Sequence, residues 1–208
     1  VENDVNLAIL GERWRGAARG HDTCVFITVG KGIGAGILVN GELHHGHHFL
    51  AGEIALMCMG PQYVGTNFGS QGCLEKLAGV KALAKRWSHP AGRNGKRWIG
   101  DLFEAAEDGD RGARKTVEEA VTLIGIATAN LSVVLDPSLV VLGGALIAEG
   151  KSVVDDVRRI VGRIVPSPPL IVASQLHEEA PLWGSVLVAT TEARRRLQQG
   201  LVQNRSSG

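Results

Sequence analysis

Ile27-Thr28-Val29-Gly30-Lys31-Gly32-Ile33-Gly34-Ala35-Gly36-Ile37-Leu38-Val39-Asn40-Gly41 is the stretch on which the fold turns. A β-branched, apolar run from Val25 to Val29 breaks into four alternating glycines and re-forms as Ile37 to Val39. Asn40-Gly41 then supplies a strong hairpin signal. The pattern predicts two strands joined by a turn with bare backbone amides. Glycine at alternate positions removes the Cβ atoms that would hold an anion away, and a short loop can aim several N–H groups at a phosphate. The same glycines also suit an ordinary hairpin, and the loop by itself leaves both readings open.

On the N-terminal side, Asn3 or Asp4 can cap a helix running to about Arg15, with Leu7, Leu10 and Trp14 on one face and Gly16 at its end. Strands are predicted at about 23–29, 34–39 and 42–45, followed by an irregular, glycine-punctuated segment at 51–68. A helical period runs from Cys73 to Trp87 and stops at Ser88-His89-Pro90-Ala91-Gly92, and His89 to Lys96 reads as a surface loop. A short helix at Ile99–Ala106 and a long one at about 110–135 follow, the second carrying an apolar stripe at Val117, Ala120, Val121, Ile124 and Thr128. Leu139 to Leu142 reads as a buried strand, 146–164 as a helix, Leu170 to Ala173 as the last strand and Pro181 to Gln198 as the last helix, with a disordered tail from Asn204. Hairpin strands followed by strands alternating with helices imply an α/β fold, a mixed β-sheet covered by helices.

Charge narrows the function classes. The 208 residues hold 22 Lys and Arg against 21 Asp and Glu, interspersed, for a net charge of +1. That balance gives neither a basic nucleic-acid patch nor a membrane-surface helix. No apolar run approaches the roughly 20 residues of a membrane span, and no signal peptide is recognisable. The three cysteines are odd in number and widely spaced, and Cys24 and Cys58 sit in apolar runs, which reads as buried free thiols in a reducing cytoplasm.

Five motifs then occur in order: Val1-Glu2-Asn3-Asp4-Val5-Asn6, the glycine loop, Ala51-Gly52-Glu53-Ile54, Gly72-Cys73-Leu74-Glu75, and Leu135-Asp136-Pro137 through Gly143-Gly144. Together they resemble the ROK family of sugar kinases and sugar-responsive transcriptional regulators, members of the actin/hexokinase-like, ribonuclease H-like fold. The resemblance runs from Val1 to about Ala189. No Asp-x-Gly-x-Thr phosphate loop and no helix-turn-helix segment is found, so residues 1–200 are expected to be the C-terminal lobe of a longer protein, lacking its N-terminal lobe, with 201–208 as a disordered tail.

The resemblance implies roles that stand beside plainer readings. Phosphoryl transfer to a sugar hydroxyl needs a carboxylate that accepts the hydroxyl proton. The family match puts that role on Asp4, with Asn3 beside it as a sugar ligand, while spacing alone makes Asp4 a helix cap. Glu53 and Glu75 resemble the family's two sugar-gripping carboxylates, since a carboxylate accepts hydrogen bonds from neighbouring hydroxyls. A solvated loop charge and a first-turn helix glutamate are their plainer readings. Gly30, Gly32, Gly34 and Gly36 match the family's second phosphate loop. Lys31 stands where the kinases have threonine, so it either binds phosphate as a point charge or folds into the site to pair with Asp4 or a glutamate. Gly143 and Gly144 resemble the adenosine-side glycines and equally suit a tight strand-to-helix turn.

The family's zinc pattern is a histidine after Ala-Gly-Glu-Ile and then Cys-x-Cys-Gly-x-x-Gly-Cys. Those positions read Leu56, Thr66, Phe68 and Cys73, so no metal is expected, and an apolar cluster of Leu56, Met57 and Phe68 is expected instead. His44, His45, His47 and His48 flank Gly46 and read as loop structure rather than a designed metal site. The four tryptophans read as packing, and Arg194-Arg195-Arg196 as a solvated helix face.

The retained sugar residues beside a degenerate zinc site favour the cytoplasmic sugar-binding lobe of a ROK regulator, a homodimer that meets DNA only through a domain not in this sequence. The alternative is an ATP-dependent hexose or N-acetylhexosamine kinase, with ATP and magnesium as its cofactors. A purely structural or assembly role is the third reading, with the long helix as its interface. In each case the isolated chain is expected to be catalytically inactive.

Overall fold

A computed structural model describes residues 2–87 and 98–206, with side chains through Gln199. The expected 89–96 loop lies outside the described residues. Five strands form one mixed sheet in the order β3-β2-β1-β4-β5: β1 (Cys24–Val29), β2 (Ile33–Val39), β3 (Glu42–Leu43), β4 (Leu139–Gly143) and β5 (Leu170–Ala173). β1 pairs antiparallel with β2 and parallel with β4, which in turn runs parallel to β5. This is the expected ribonuclease H-like arrangement of a hairpin followed by parallel strands. The central strands β1 and β4 are buried on both faces, which is why each reads as an unbroken apolar run.

Alternation along those strands divides the core in two. Val25, Ile27, Val29, Val140 and Leu142 face the larger cluster. It is built with α2 (Cys73–Ala78), α3 (Val80–Arg86), α4 (Trp98–Glu107), α5 (Arg111–Leu135), α6 (Ala145–Glu149) and α7 (Val153–Ile164). Cys24, Phe26, Leu139 and Val141 face α1 (Asp4–Arg15), with Ala180 of α8 (Ala180–Ser206) in the same cluster. Burial pushes the Cys24 thiol up to about 11. Cys73 is also buried, whereas Cys58, expected inside, is exposed and donates to the Gly60 carbonyl.

By length and composition α5 could cross a membrane, yet its Val121, Ile124, Ala127 and Leu131 lie in the core beneath the sheet. Its buried hydroxyls are satisfied within the helix: Thr128 donates to the Ile124 carbonyl and Ser132 to that of Thr128, each at 2.8 Å. Asp136, at φ 45°, closes the helix with its N–H on Ser132 O before Pro137.

Three elements differ from the sequence expectation. The 73–87 helix breaks at Gly79, whose extended backbone ends α2 and lets the Val80 N–H reach the Gly30 carbonyl at 3.4 Å. The 146–164 helix breaks at Gly150–Ser152, where the Phe103 ring packs so closely against Gly150 that no Cβ fits there. The last helix continues beyond Gln198 to Ser206, through Gly200, which is tolerated within a helix and does not end this one. The rest of the expected tail, 207–208, lies outside the described residues.

α1 and α8 touch backbone to backbone. A Cβ on Gly184 would overlap the Leu7 carbonyl, and one on Gly11 would overlap the Ala180 carbonyl. Trp14 and Trp183 meet edge to face at 5.9 Å, and the Arg15 guanidinium lies 4.3–4.5 Å from both ring centres. Gly184→Ala is therefore expected to lower stability by about 1–3 kcal/mol in urea unfolding. Gly162→Ala, on α7 with open space around it, is expected to raise stability by about 0.5–1 kcal/mol.

Candidate functional site

The candidate site forms where the glycine turn, the start of α1 and the 52–53 loop converge at the carboxyl end of β1. Val29 pairs with Ile33, leaving Gly30-Lys31-Gly32 as a three-residue turn in which the Gly30 N–H donates to Gly32 O at 3.0 Å. Lys31 is exposed at the tip. The four glycines that read as one phosphate loop divide into two jobs. Gly30 and Gly32 make the turn. At Gly34 and Gly36 the backbone of β2 receives α1: a Cβ on Gly36 would lie 2.5 Å from Val5 O and 2.8 Å from Ile9 Cγ2. Gly34, with 3.3 Å to Val5 Cγ2, also lines the cavity, while Gly36 lies beneath the helix and does not.

That contact brings the helix start to the turn. Asn3 is the N-cap of α1, its Oδ1 accepting the Asn6 N–H at 2.7 Å, and Asp4 is the first helical residue. Cap and candidate base are therefore adjacent residues with separate roles. Gly52, at φ 88°, accepts the Ala35 N–H on its carbonyl at 2.8 Å, and its missing Cβ lets the loop lie against β2. Glu53 follows, with Ile54 and Ala55 buried behind it as anchors. Asn3, Asp4, the turn from Gly30 to Gly34, and Glu53 thus share one cavity of about 400 Å³. Among the described residues, the Asp4, Lys31 and Glu53 side chains carry no hydrogen bond or ion pair. Lys31 does not fold in to pair with Asp4 or a glutamate.

Glu75 sits elsewhere. On the first turn of α2 and half-buried, its Oε2 accepts the Ile33 N–H at 3.0 Å and its Oε1 the Gln71 amide at 2.9 Å. It is not on the wall of this cavity.

A second cavity of about 360 Å³ adjoins the first and shares Asp4, Val5 and Thr28 with it. Phe26, Leu142, Ile147 and Pro181 give it apolar walls, Gly143 and Gly144 its floor, and Ser174, His177 and Glu178 a polar rim. Gly144, at φ 90°, has room for no Cβ, because the Val29 backbone lies 2.6 Å from where one would stand. Gly143 presses on the Phe26 ring in the same way. The sequence marked only Asp4, Gly143 and Gly144 of this cavity, whose walls come from four distant segments. It also hid Glu12, fully buried, whose carboxylate accepts the Ala17 and Leu176 N–H groups and the Ser174 hydroxyl. Glu12 thereby ties α1 to the turn after β5, and both oxygens of its own buried carboxylate are partnered.

The residues fit a phosphate-bearing ligand. The amide-lined turn, the absence of Cβ atoms at Gly30 and Gly32 and the unpaired Lys31 at its tip are what a polyanion needs. They do not fit zinc. Of Leu56, Thr66, Phe68 and Cys73 only Cys73 is a zinc-ligand type, and among the described residues no group of three metal-ligating side chains converges. The expected apolar cluster is not formed either: Leu56 is 51% exposed, and Phe68 turns to Tyr63, with ring centres 5.9 Å apart. Met57 alone packs on the core.

A hairpin turn facing a helix-start carboxylate at the end of this sheet defines a lobe of the actin-like ATPase class. The chain belongs to the ROK family, whose profile matches residues 1–192. It is 32% identical over 204 residues to a glucokinase of Thermotoga maritima, covering 90% of this chain and 64% of that protein. It is 27% identical over 189 residues to the xylose repressor of Bacillus subtilis, covering 88% of this chain and 48% of that protein. The ROK hexokinase of Thermus thermophilus superposes with a TM-score of 0.81 at 30% identity, over 93% of this chain and 65% of that one. A ROK glucokinase of Streptomyces griseus, solved with glucose and AMPPNP, gives 0.72 at 31% identity, over 88% and 65%. The chain thus spans 48–65% of the length of these proteins.

The Asn3 cap is open to test. Asn3→Ala is expected to cost about 1 kcal/mol in thermal or urea unfolding, and Asn3→Asp, which keeps the acceptor, is expected to restore most of it.

Proposed function

We propose that this chain is the larger lobe of an ATP-dependent sugar kinase. The observation that carries the reading is the unpaired Asp4 carboxylate sharing one cavity with the glycine turn and Glu53. Two features favour the kinase over the regulator that the degenerate zinc positions first suggest. The glucokinase of Thermotoga maritima matches at 32% identity and the xylose repressor at 27%. The glycine turn is also retained here beside Asp4; Asp4 can serve a sensor as a sugar ligand, but a sensor has no need of a phosphate-binding turn.

In this reading Glu53 and the Asn3 side-chain amide nitrogen hold hydroxyls of the sugar, leaving the acceptor hydroxyl beside Asp4. Asp4 takes its proton as the new O–P bond forms. The amides of Lys31 and Gly32 at the tip of the turn and the Lys31 ammonium neutralise charge on the phosphoryl oxygens. The apolar cavity beside Gly143 and Gly144 suits the base of the nucleotide. ATP supplies the phosphoryl group when bound, and magnesium, held by its phosphates, screens their charge. Zinc takes no part, because the loop after Glu53 offers it no ligand set.

The direct test is ADP release by the full-length gene product with ATP, magnesium and a panel of hexoses and N-acetylhexosamines. Turnover that falls at least about 100-fold in Asp4→Ala is expected. No turnover with any sugar, or turnover indifferent to Asp4→Ala, contradicts the kinase and returns the sugar-responsive regulator to first place. In the same assay Lys31→Ala is expected to raise the ATP KM about three- to tenfold, the loss of one charge-assisted contact. A rise in kcat instead would mean that Lys31 obstructs the site.

A further inference from the structure

We propose that Glu75 is a positioning residue that holds the glycine turn in its binding geometry from behind. The proposal deepens the kinase reading and rests on it only for the identity of the ligand the turn receives. Glu75 reaches the turn through one bond, from the Ile33 N–H to Oε2 at 3.0 Å, and its other oxygen is pinned by Gln71 at 2.9 Å. Each carboxyl oxygen thus holds one donor, so the side chain is fixed at both ends of its head group. The carboxylate stands so near that a Cβ on Gly32 would lie 3.1 Å from Oε2, which gives Gly32 a reason to be glycine besides access for an anion.

A second bond from the same pair of helices holds the other end of the turn. The Gly30 carbonyl accepts the Val80 N–H at 3.4 Å, and that N–H is available because the helix breaks at Gly79. Gly79 in turn donates its N–H to the Glu75 carbonyl at 2.8 Å, so the break and the carboxylate belong to one unit. Both anchors come from the α2–α3 side, whereas Asp4 and Glu53 line the cavity in front. The turn is therefore fixed at Gly30 and Ile33 by groups that leave the cavity free. Amides aimed in advance bind an oxyanion without first losing conformational freedom, which is how a residue outside the cavity raises affinity inside it.

The test uses the full-length protein, amide hydrogen exchange and a KM comparison. Glu75→Ala removes the acceptor and Glu75→Asp withdraws it by one methylene, while Glu75→Gln keeps an oxygen in place. Exchange of the Ile33 amide is expected to accelerate at least about tenfold in the Ala and Asp variants and to stay near wild type in Gln, with Ile27 and Val141 as fold controls. The ATP KM is expected to rise about fivefold in Ala and Asp and to be rescued in Gln. Unchanged Ile33 exchange in both Ala and Asp overturns the proposal. So does a KM change confined to the sugar, which would make Glu75 a sugar ligand only. If the wild-type protein turns over no sugar, the kinase reading fails, and the Ile33 exchange still decides this one.

Discussion

The site depends on one contact, the seating of α1 on β2 at Gly36. Val5 O and Ile9 Cγ2 approach that glycine so closely that a single methyl group would lift the helix. The first turn of α1 carries Asn3 and Asp4, so the height of the helix above the sheet sets the gap between the carboxylate and the glycine turn. From the outer side the helix is pressed down by α8, again through glycines, at Gly11 and Gly184. At its far end the buried Glu12 ties it to the turn after β5. A residue that looks like a surface cap is thus positioned by a backbone contact on each side of its helix.

This arrangement explains what the sequence could and could not reveal. The hairpin, the strands at β1, β4 and β5 and the span of α5 were legible, because each is a run with one period and clear stops. The start of α1 was legible as well, but not which residue caps it: spacing pointed to Asp4, and Asn3 takes the cap. The two helix breaks were not. Gly79 and Gly150 sit within helical periods, and what decides them is tertiary: the Gly30 carbonyl awaiting an N–H in one case, the Phe103 ring in the other. The division of labour among four look-alike glycines was equally hidden, since Gly36 serves a helix and Gly30 a turn. Glu75 was legible as a first-turn glutamate and as a family resemblance, but its hold on Ile33 lies 42 positions away in sequence.

The loop after Glu53 carries Leu56, Thr66 and Phe68 at the positions where the sequence resemblance implies zinc ligands. Where zinc would tie that loop together, Leu56 is exposed, Phe68 meets Tyr63 edge to face, and the loop instead leans on Gly52 against β2 and on Ile54 and Ala55 in the core. Glu53 is therefore positioned from one side only. The kinase reading puts the chemistry on the sturdier part of the cavity, Asp4 and the turn, and leaves the choice of sugar to this loop.

The central claim is that the cavity between α1, the glycine turn and Glu53 receives both sugar and nucleotide phosphates. Chemical-shift mapping of the full-length protein tests it without requiring turnover. Glucose is expected to perturb Asn3, Asp4 and Glu53, and AMPPNP the amides of Gly30 to Gly34, with the Gly143–Gly144 amides moving alongside. Shifts scattered elsewhere, or none with either ligand at millimolar concentration, would contradict the account.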